Sequence, residues 1–237
     1  MNRIQTSSLL AITGILAIVV FGAAKARVQQ GQDPQPMRTQ DEHAQLVEAV
    51  RRGGLREAAK IKGSYVVTMS PHSEGIFADV ESLTSHSDIV IVGMPNSGTA
   101  RVSSGGDAIF TDYEVTVQQV LKGNPRQASS MIVSVLGGLV RFENGTTAEV
   151  ITPDFKIETG KTYIFFLANE NETTGRYRLT GGPQGVFEVP ADGSGIIPKG
   201  RKIDHVVQKY KGKRLDGFLQ EIHSAAEKWP DKAKCCQ

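Results

Sequence analysis

The chain reads Tyr113-Glu-Val-Thr-Val-Gln-Gln-Val-Leu121 near its centre, and this short segment predicts both a strand and a bend within it. Tyr113, Val115 and Val117 alternate with polar residues, which is the period of a strand with one buried face. At Gln118-Gln119 the alternation shifts by one residue. A shift of this kind is typical of a β-bulge, which bends its strand and helps a sheet to close.

Similar strand patterns extend over residues 64–198. Tyr163-Ile-Phe-Phe-Leu-Ala168 predicts a central strand, because it is the most apolar segment outside the N-terminus. Asn144-Gly145 indicates a hairpin, and Gly137-Gly138 indicates a second bend. About eight short strands with closely spaced turn signals predict a mainly β domain, either a small, partly open OB-like barrel or a sandwich. The two bends favour the barrel.

Helices are predicted on both sides of this β domain, and Gly53-Gly54 should interrupt the first of them. The predicted segments are a signal peptide or uncleaved anchor (1–26), a flexible spacer (27–38), a helical lead-in (39–63), the β domain (64–198), a basic segment (199–214), a C-terminal helix (215–230) and a tail (231–237).

The N-terminus predicts export. Arg3 precedes an uncharged apolar stretch over residues 9–24, and Ala24-Lys25-Ala26 fits a signal-peptidase site. The alternative is an uncleaved anchor, but a membrane-spanning helix needs about 20 apolar residues. Although an exported protein can form disulfides, the only cysteines are Cys235 and Cys236 in the tail, so none is predicted within the domain.

Charge is distributed unevenly along the chain. Residues 64–198 carry 8 basic and 15 acidic side chains, whereas the basic segment carries seven cations and only Asp204 as an acid. These cations are Lys199, Arg201, Lys202, Lys209, Lys211, Lys213 and Arg214. The basic segment either folds back against the acidic domain or contacts an anionic surface such as lipid headgroups. Nucleic acid is not expected as a partner of an exported protein.

The best candidate for site chemistry is a group of histidines and carboxylates: His72, Glu74, His86 and Asp88. Imidazole and carboxylate together can bind zinc or support hydrolysis. The spacing of these residues matches no established zinc pattern, and solvated loop residues are the simpler interpretation. No catalytic residue and no cofactor is predicted.

Several motifs resemble those of a group of uncharacterised exported bacterial β-domain proteins. They are V-x-K-G (Val120-Leu-Lys-Gly123), G-x-x-Y followed by an apolar strand (Gly160-Lys-Thr-Tyr163 to Leu167) and G-x-Q-G (Gly182-Pro-Gln-Gly185). The resemblance covers residues 88–198. The order is also distantly similar to the netrin-like, OB-type barrels of metalloproteinase inhibitors, whose N-terminal cysteine is missing here. These similarities imply a fold and no activity.

The function expected from these features is that of a non-catalytic binding or accessory module of the cell envelope. Its expected surfaces are a loop over residues 96–107, the turn over residues 181–185 and the basic segment. The competing interpretations are an exported hydrolase or metal-binding protein that uses His72 and His86, and a membrane-anchored structural component.

Overall fold

The computed structural model describes residues 40–70, 75–125, 129–153, 155–171 and 175–230, which form four α-helices, one 3₁₀ helix and ten strands. The helices are α1 (Gln40–Lys62), α2 (Val80–His86), α3 (His205–Tyr210) and α4 (Leu215–Lys228), and the 3₁₀ helix is Gly182–Gly185. The strands are β1 (Ser64–Thr68), β2 (Ile89–Val102), β3 (Ile109–Lys122), β4 (Ser130–Leu136), β5 (Gly138–Arg141), β6 (Thr147–Ile151), β7 (Thr162–Asn171), β8 (Arg176–Leu179), β9 (Val186–Val189) and β10 (Ile197–Pro198).

Five of the strands form a ring. The large sheet has the order β10-β9-β7-β2-β3-β4-β8, and β8 pairs again with β7. Neighbouring ring strands are antiparallel except for β4 and β8, which are parallel. If the ring strands β2, β3, β4, β7 and β8 are numbered 1 to 5 by their order in the chain, their order around the ring is 1-2-3-5-4. This confirms the mainly β class and the partly open OB-like barrel rather than the sandwich.

The predicted bend in β3 is confirmed by the strand register. Val92 pairs with Gln119 and Gly93 pairs with Val117, which leaves Gln118 as an extra residue. β3 is 14 residues long, and the bulge bends it so that this single strand curves around the barrel interior.

The interior contains an apolar side chain from each ring strand. Ile91, Val115, Val133, Phe165 and Tyr177 are buried together there. A second apolar cluster packs the outer side of β7 and β2 against α2, α3 and α4. A small sheet with the order β1-β6-β5 and the second half of α1 bury a third cluster at the end of the β2–β3 hairpin.

The helices predicted on each side of the β domain are confirmed. Inside α1, the backbone at Gly53 and Gly54 is not helical, so this element is two helices joined at the predicted break. In α4, Phe218, Ile222 and Ala225 face the core. Among the described helices, none has the length and apolar character needed to cross a bilayer. Residues 1–38 lie outside the described part of the chain.

The predicted loop over residues 96–107 is wrong. Residues 96–102 continue β2 and pair with β3 as far as Val102 opposite Ile109. Only the turn between the two strands is irregular, and its Gly106 carbonyl accepts a 2.7 Å hydrogen bond from the Leu55 backbone N–H of α1. Glycine and serine suggested a loop, but a partner strand supplied the hydrogen bonds that made this segment regular.

The turn over residues 181–185 is not the exposed surface that was predicted. Strands β8 and β9 pair with successive parts of β7. The six residues 180–185 connect these two strands and stand opposite the single residue Phe166. Gln184 is 2% exposed; its Oε1 accepts from the Phe77 N–H at 3.2 Å, and its Nε2 donates to the Gly75 carbonyl at 3.1 Å. The buried side chain therefore fixes the segment that leads into α2.

Two further polar side chains hold α2 against the barrel. The buried Lys122 ammonium donates to the carbonyls of Thr84 (2.6 Å) and Ser87 (2.8 Å) at the C-terminal end of α2. At the other end, the Val80 backbone N–H donates to the Tyr210 hydroxyl at 3.2 Å. A cation at a helix C-terminus interacts favourably with the helix dipole, and these bonds satisfy backbone groups at both ends of α2.

We expect Gly123→Ala to destabilise the protein by about 1–3 kcal/mol, because Gly123 has φ +84° and an added Cβ would lie 2.4 Å from the Asp88 carbonyl oxygen. Gly160→Ala is the matched control, since Gly160 has φ +79° but no atom within 4 Å of an added Cβ. Urea denaturation measures both variants. Equal losses in the two would show that backbone strain alone, without the clash, accounts for the effect.

Candidate functional site

The basic segment folds back against acidic side chains. Five of its seven cations lie within 4 Å of a carboxylate: Lys199 with Glu188 (3.2 Å), Arg201 with Asp204 (3.2 Å), Lys209 with Asp79 (3.5 Å), Lys213 with Glu221, and Arg214 with Asp216 (3.9 Å). Lys202 and Lys211 are exposed. The segment also contains α3, with three of its cations before this helix, one within it and three after it.

A groove of about 670 Å³ lies between α2, α3 and α4. It collects Lys209 and Lys213 from the basic segment and Lys228 from α4. Each of these ammonium groups is paired, Lys228 with Glu81 and the other two with Asp79 and Glu221. These ion pairs join neighbouring helices, and they leave the groove with balanced charge.

The carboxylates of the groove are held in their charged form. Partial burial would raise the pKa of Glu221, but hydrogen bonds from Lys213 and Tyr210 outweigh it and lower that pKa below its usual value. The pKa of Asp79 is lowered chiefly by the hydrogen bond from the Ser82 backbone N–H. Burial raises the pKa of the Tyr210 hydroxyl. The resolved pKa shifts of this groove all lead away from the neutral range in which general acids and bases work best.

The histidine and carboxylate candidates have structural contacts where they are described. His86 Nδ1 lies 2.8 Å from the Ser82 carbonyl oxygen, and its ring packs edge-on against Phe77 at 5.4 Å. Asp88 Oδ2 accepts hydrogen bonds from the backbone and side-chain nitrogens of Asn169. His72 and Glu74 lie outside the described residues. Within the described ranges, no group of three or more His, Cys, Asp or Glu residues could hold a metal ion.

The part of the barrel wall that the helices leave uncovered is strongly polar. Directly paired residues of a sheet point to the same side. The register therefore places two polar rows on the outer side of β2, β3, β4 and β8: Ser97, Glu114, Ile132 and Arg176 in the first, and Thr99, Asp112, Ser134 and Arg178 in the second. Together with the neighbouring Arg101 and Glu170, these residues are called the polar face.

Asp112 is the centre of the polar face. Its Oδ2 accepts from Arg101 Nε at 2.8 Å and from Arg176 Nε at 2.9 Å, and its Oδ1 accepts from Ser134 Oγ at 2.7 Å. Arg101 also donates through Nη2 to Ser134 Oγ at 3.2 Å and to Glu170 at 3.4 Å. The carboxylate of Asp112 thus connects four strands, β2, β3, β4 and β8, and Arg101 extends the network to Glu170 of β7.

The environment of Asp112 keeps the carboxylate ionised. Partial burial would raise its pKa, but the hydrogen bonds from Ser134, Arg101 and Arg176 dominate and lower the pKa below the usual value. The guanidinium of Arg101 is also held over the Phe110 ring, 5.4 Å from the ring centre. The charged groups of Arg101, Asp112 and Arg176 are therefore held in position by one another.

Sequence reasoning missed the polar face. The alternation of Asp112, Glu114 and Thr116 indicated the solvent side of a strand. It could not show that Arg101 and Arg176 lie beside Asp112, because Arg101 depends on the continuation of β2 beyond residue 96 and Arg176 depends on closure of the ring by β8.

Comparison with known proteins adds no relative: no protein-family model matches the chain, and no curated protein matches it.

We expect Asp112→Asn to lower the free energy of unfolding by about 1–3 kcal/mol, because the amide keeps the shape but removes the charge that two guanidinium groups share. Glu114→Gln on the same strand is the control, and its exposed side chain should change stability by no more than about 0.5 kcal/mol. Urea denaturation at neutral pH measures both. A loss for Asp112→Asn as small as that of the control would contradict the central role of Asp112.

Because of the ion pairs in the groove, the stability of the protein should decrease as the pH falls into the acid range. The pKa of Glu221 is lower in the folded protein than in the unfolded chain, where it is about 4.3. The Glu221 carboxylate therefore stabilises the fold fully at pH values above the unfolded pKa, and this stabilisation is lost as the pH falls through the folded pKa. We expect Glu221→Gln to lower Tm by up to about 4 °C at pH 7 and by less at pH 3. Glu227→Gln, on the exposed side of α4, is the control. A Tm difference for Glu221→Gln that does not shrink in acid would contradict this account.

Proposed function

We propose that this protein is an exported, non-catalytic binding or accessory module of the cell envelope that binds its ligand or partner on the polar face. The observation that carries the proposal is the network around Asp112, which presets charged and hydrogen-bonding groups on an uncovered part of a barrel wall. Preset groups reduce the entropy lost on binding. OB-type barrels use the outer side of the corresponding strands to bind extended ligands.

The direction of the pKa shifts supports binding rather than catalysis. Among the described residues with a resolved shift, the carboxyl groups move down, and the lysines and tyrosines move up. General acid–base catalysis favours shifts in the opposite direction, towards the working pH. Each of these groups instead keeps its ordinary charge at neutral pH.

Export is the second part of the proposal and depends on residues 1–26. Their charged start, apolar centre and Ala24-Lys25-Ala26 end support a cleaved signal peptide. An uncleaved segment would instead anchor the same domain at the membrane surface.

Carbodiimide labelling of carboxylates tests the proposal without assuming a ligand. Glu114 on the polar face and Glu227 on α4 are both exposed. In an intact envelope fraction, we expect Glu114 to be labelled several-fold less than in the purified protein, whereas labelling of Glu227 stays the same. Equal labelling of Glu114 in both samples would reject the polar face as the binding surface. Mass spectrometry of the same digest shows whether the chain begins at Arg27.

A further inference from the structure

The polar face has no excess of either charge. Three of its members are arginines and three are carboxylates: Arg101, Arg176, Arg178, Asp112, Glu114 and Glu170. Polyanions bind through an excess of lysine and arginine that displaces counterions, and the polar face does not provide one. The ligand that suits a neutral, hydrogen-bonding surface is itself uncharged and polar.

We infer that the polar face binds an uncharged oligosaccharide chain, an inference that rests on the proposed binding function. A sugar hydroxyl both donates and accepts hydrogen bonds. Guanidinium groups offer only donors and carboxylates only acceptors, while the hydroxyls of Ser97 and Thr99 offer both. A surface that alternates these groups can therefore satisfy successive hydroxyls of a glycan.

The geometry of the two rows suits an extended chain. Each row crosses four neighbouring strands, so it spans three inter-strand steps, or about 14 Å. A polar side chain is present at three of the four positions in the first row and at all four in the second, where only Ser134 is buried. A linear oligosaccharide that lies across the strands would meet a hydrogen-bonding group at nearly every step.

The composition of the face disfavours a protein partner. Strong protein–protein interfaces are centred on buried aromatic and apolar anchors. Here the apolar contributions are only Ile132 in the first row and Phe110 beside Arg101, and both are already half-buried. Phe110 instead offers a small apolar surface at the edge of the face, where the carbon-rich side of a sugar ring could pack.

Binding of short, linear, uncharged oligomers of glucose, mannose and N-acetylglucosamine to the purified protein tests this inference, with a sulfated tetrasaccharide for comparison. We expect at least one uncharged oligomer to bind, with an affinity that changes less than about twofold between low and high salt, because no counterions are released. Calorimetric titration measures the affinity.

Variants identify the surface. Arg101→Gln and Glu114→Ala should each weaken this binding by about tenfold, and Lys202→Gln in the exposed part of the basic segment should leave it unchanged. Glu114 is exposed and lies outside the Asp112 network, so weaker glycan binding by Glu114→Ala would not result from unfolding. Thermal melting of both variants checks that they remain folded.

The inference is overturned if none of the uncharged oligomers binds, if only the sulfated chain binds and does so with steep salt dependence, or if both variants bind as tightly as the parent. Continued protection of Glu114 in the envelope fraction would then show that the binding function stands with a different ligand. Absence of both protection and glycan binding would reject the function and the ligand together.

Discussion

The whole fold depends on how strand β7 is paired. It lies beside β2 on one edge, while its other edge is shared by β8 and β9. Residues 163–168 are buried on both sides, because one side faces the barrel interior and the other faces α2, α3 and α4. A strand in this position must be continuously apolar rather than alternating. β8 pairs with β7 on one edge and with β4 on the other, which closes the ring, and after the break at residues 180–185 the chain continues along β7 as β9.

The sequence motifs that resemble those of exported β-domain proteins have structural explanations. Lys122 of V-x-K-G binds carbonyls at the end of α2, and Gln184 of G-x-Q-G binds the backbone that leads into α2. Tyr163 of G-x-x-Y is fully buried, and its hydroxyl accepts from the Glu158 N–H at 3.1 Å. Burying a polar group without a partner costs about 1–3 kcal/mol, so the hydrogen bonds of these residues stabilise the fold.

Charge pairing lowers the pKa values of Asp112 and Glu221 below their usual values. Lys209 and Lys213 of the basic segment contact carboxylates at the start of α2 and in α4. Two arginines of the polar face, Arg101 and Arg176, contact Asp112. Each partner stabilises the charged form of the other, which moves pKa values away from neutrality. The groove and the polar face differ in position: the groove joins packed helices, whereas the polar face covers an open barrel wall.

Local sequence alone determined the mainly β class, the flanking helices, the bend in β3 and the break in α1, because hydrophobic period and glycine position act over a few residues. Tyr163–Ala168 was recognisable as a central strand for the same reason. Sequence did not reveal that residues 96–102 are a strand or that residues 181–185 are buried, since both depend on hydrogen bonds from distant segments. The polar face depends on tertiary structure: strand pairing places Arg101 of β2 and Ser134 of β4 beside Asp112, and closure of the ring by β8 brings Arg176 to the same carboxylate.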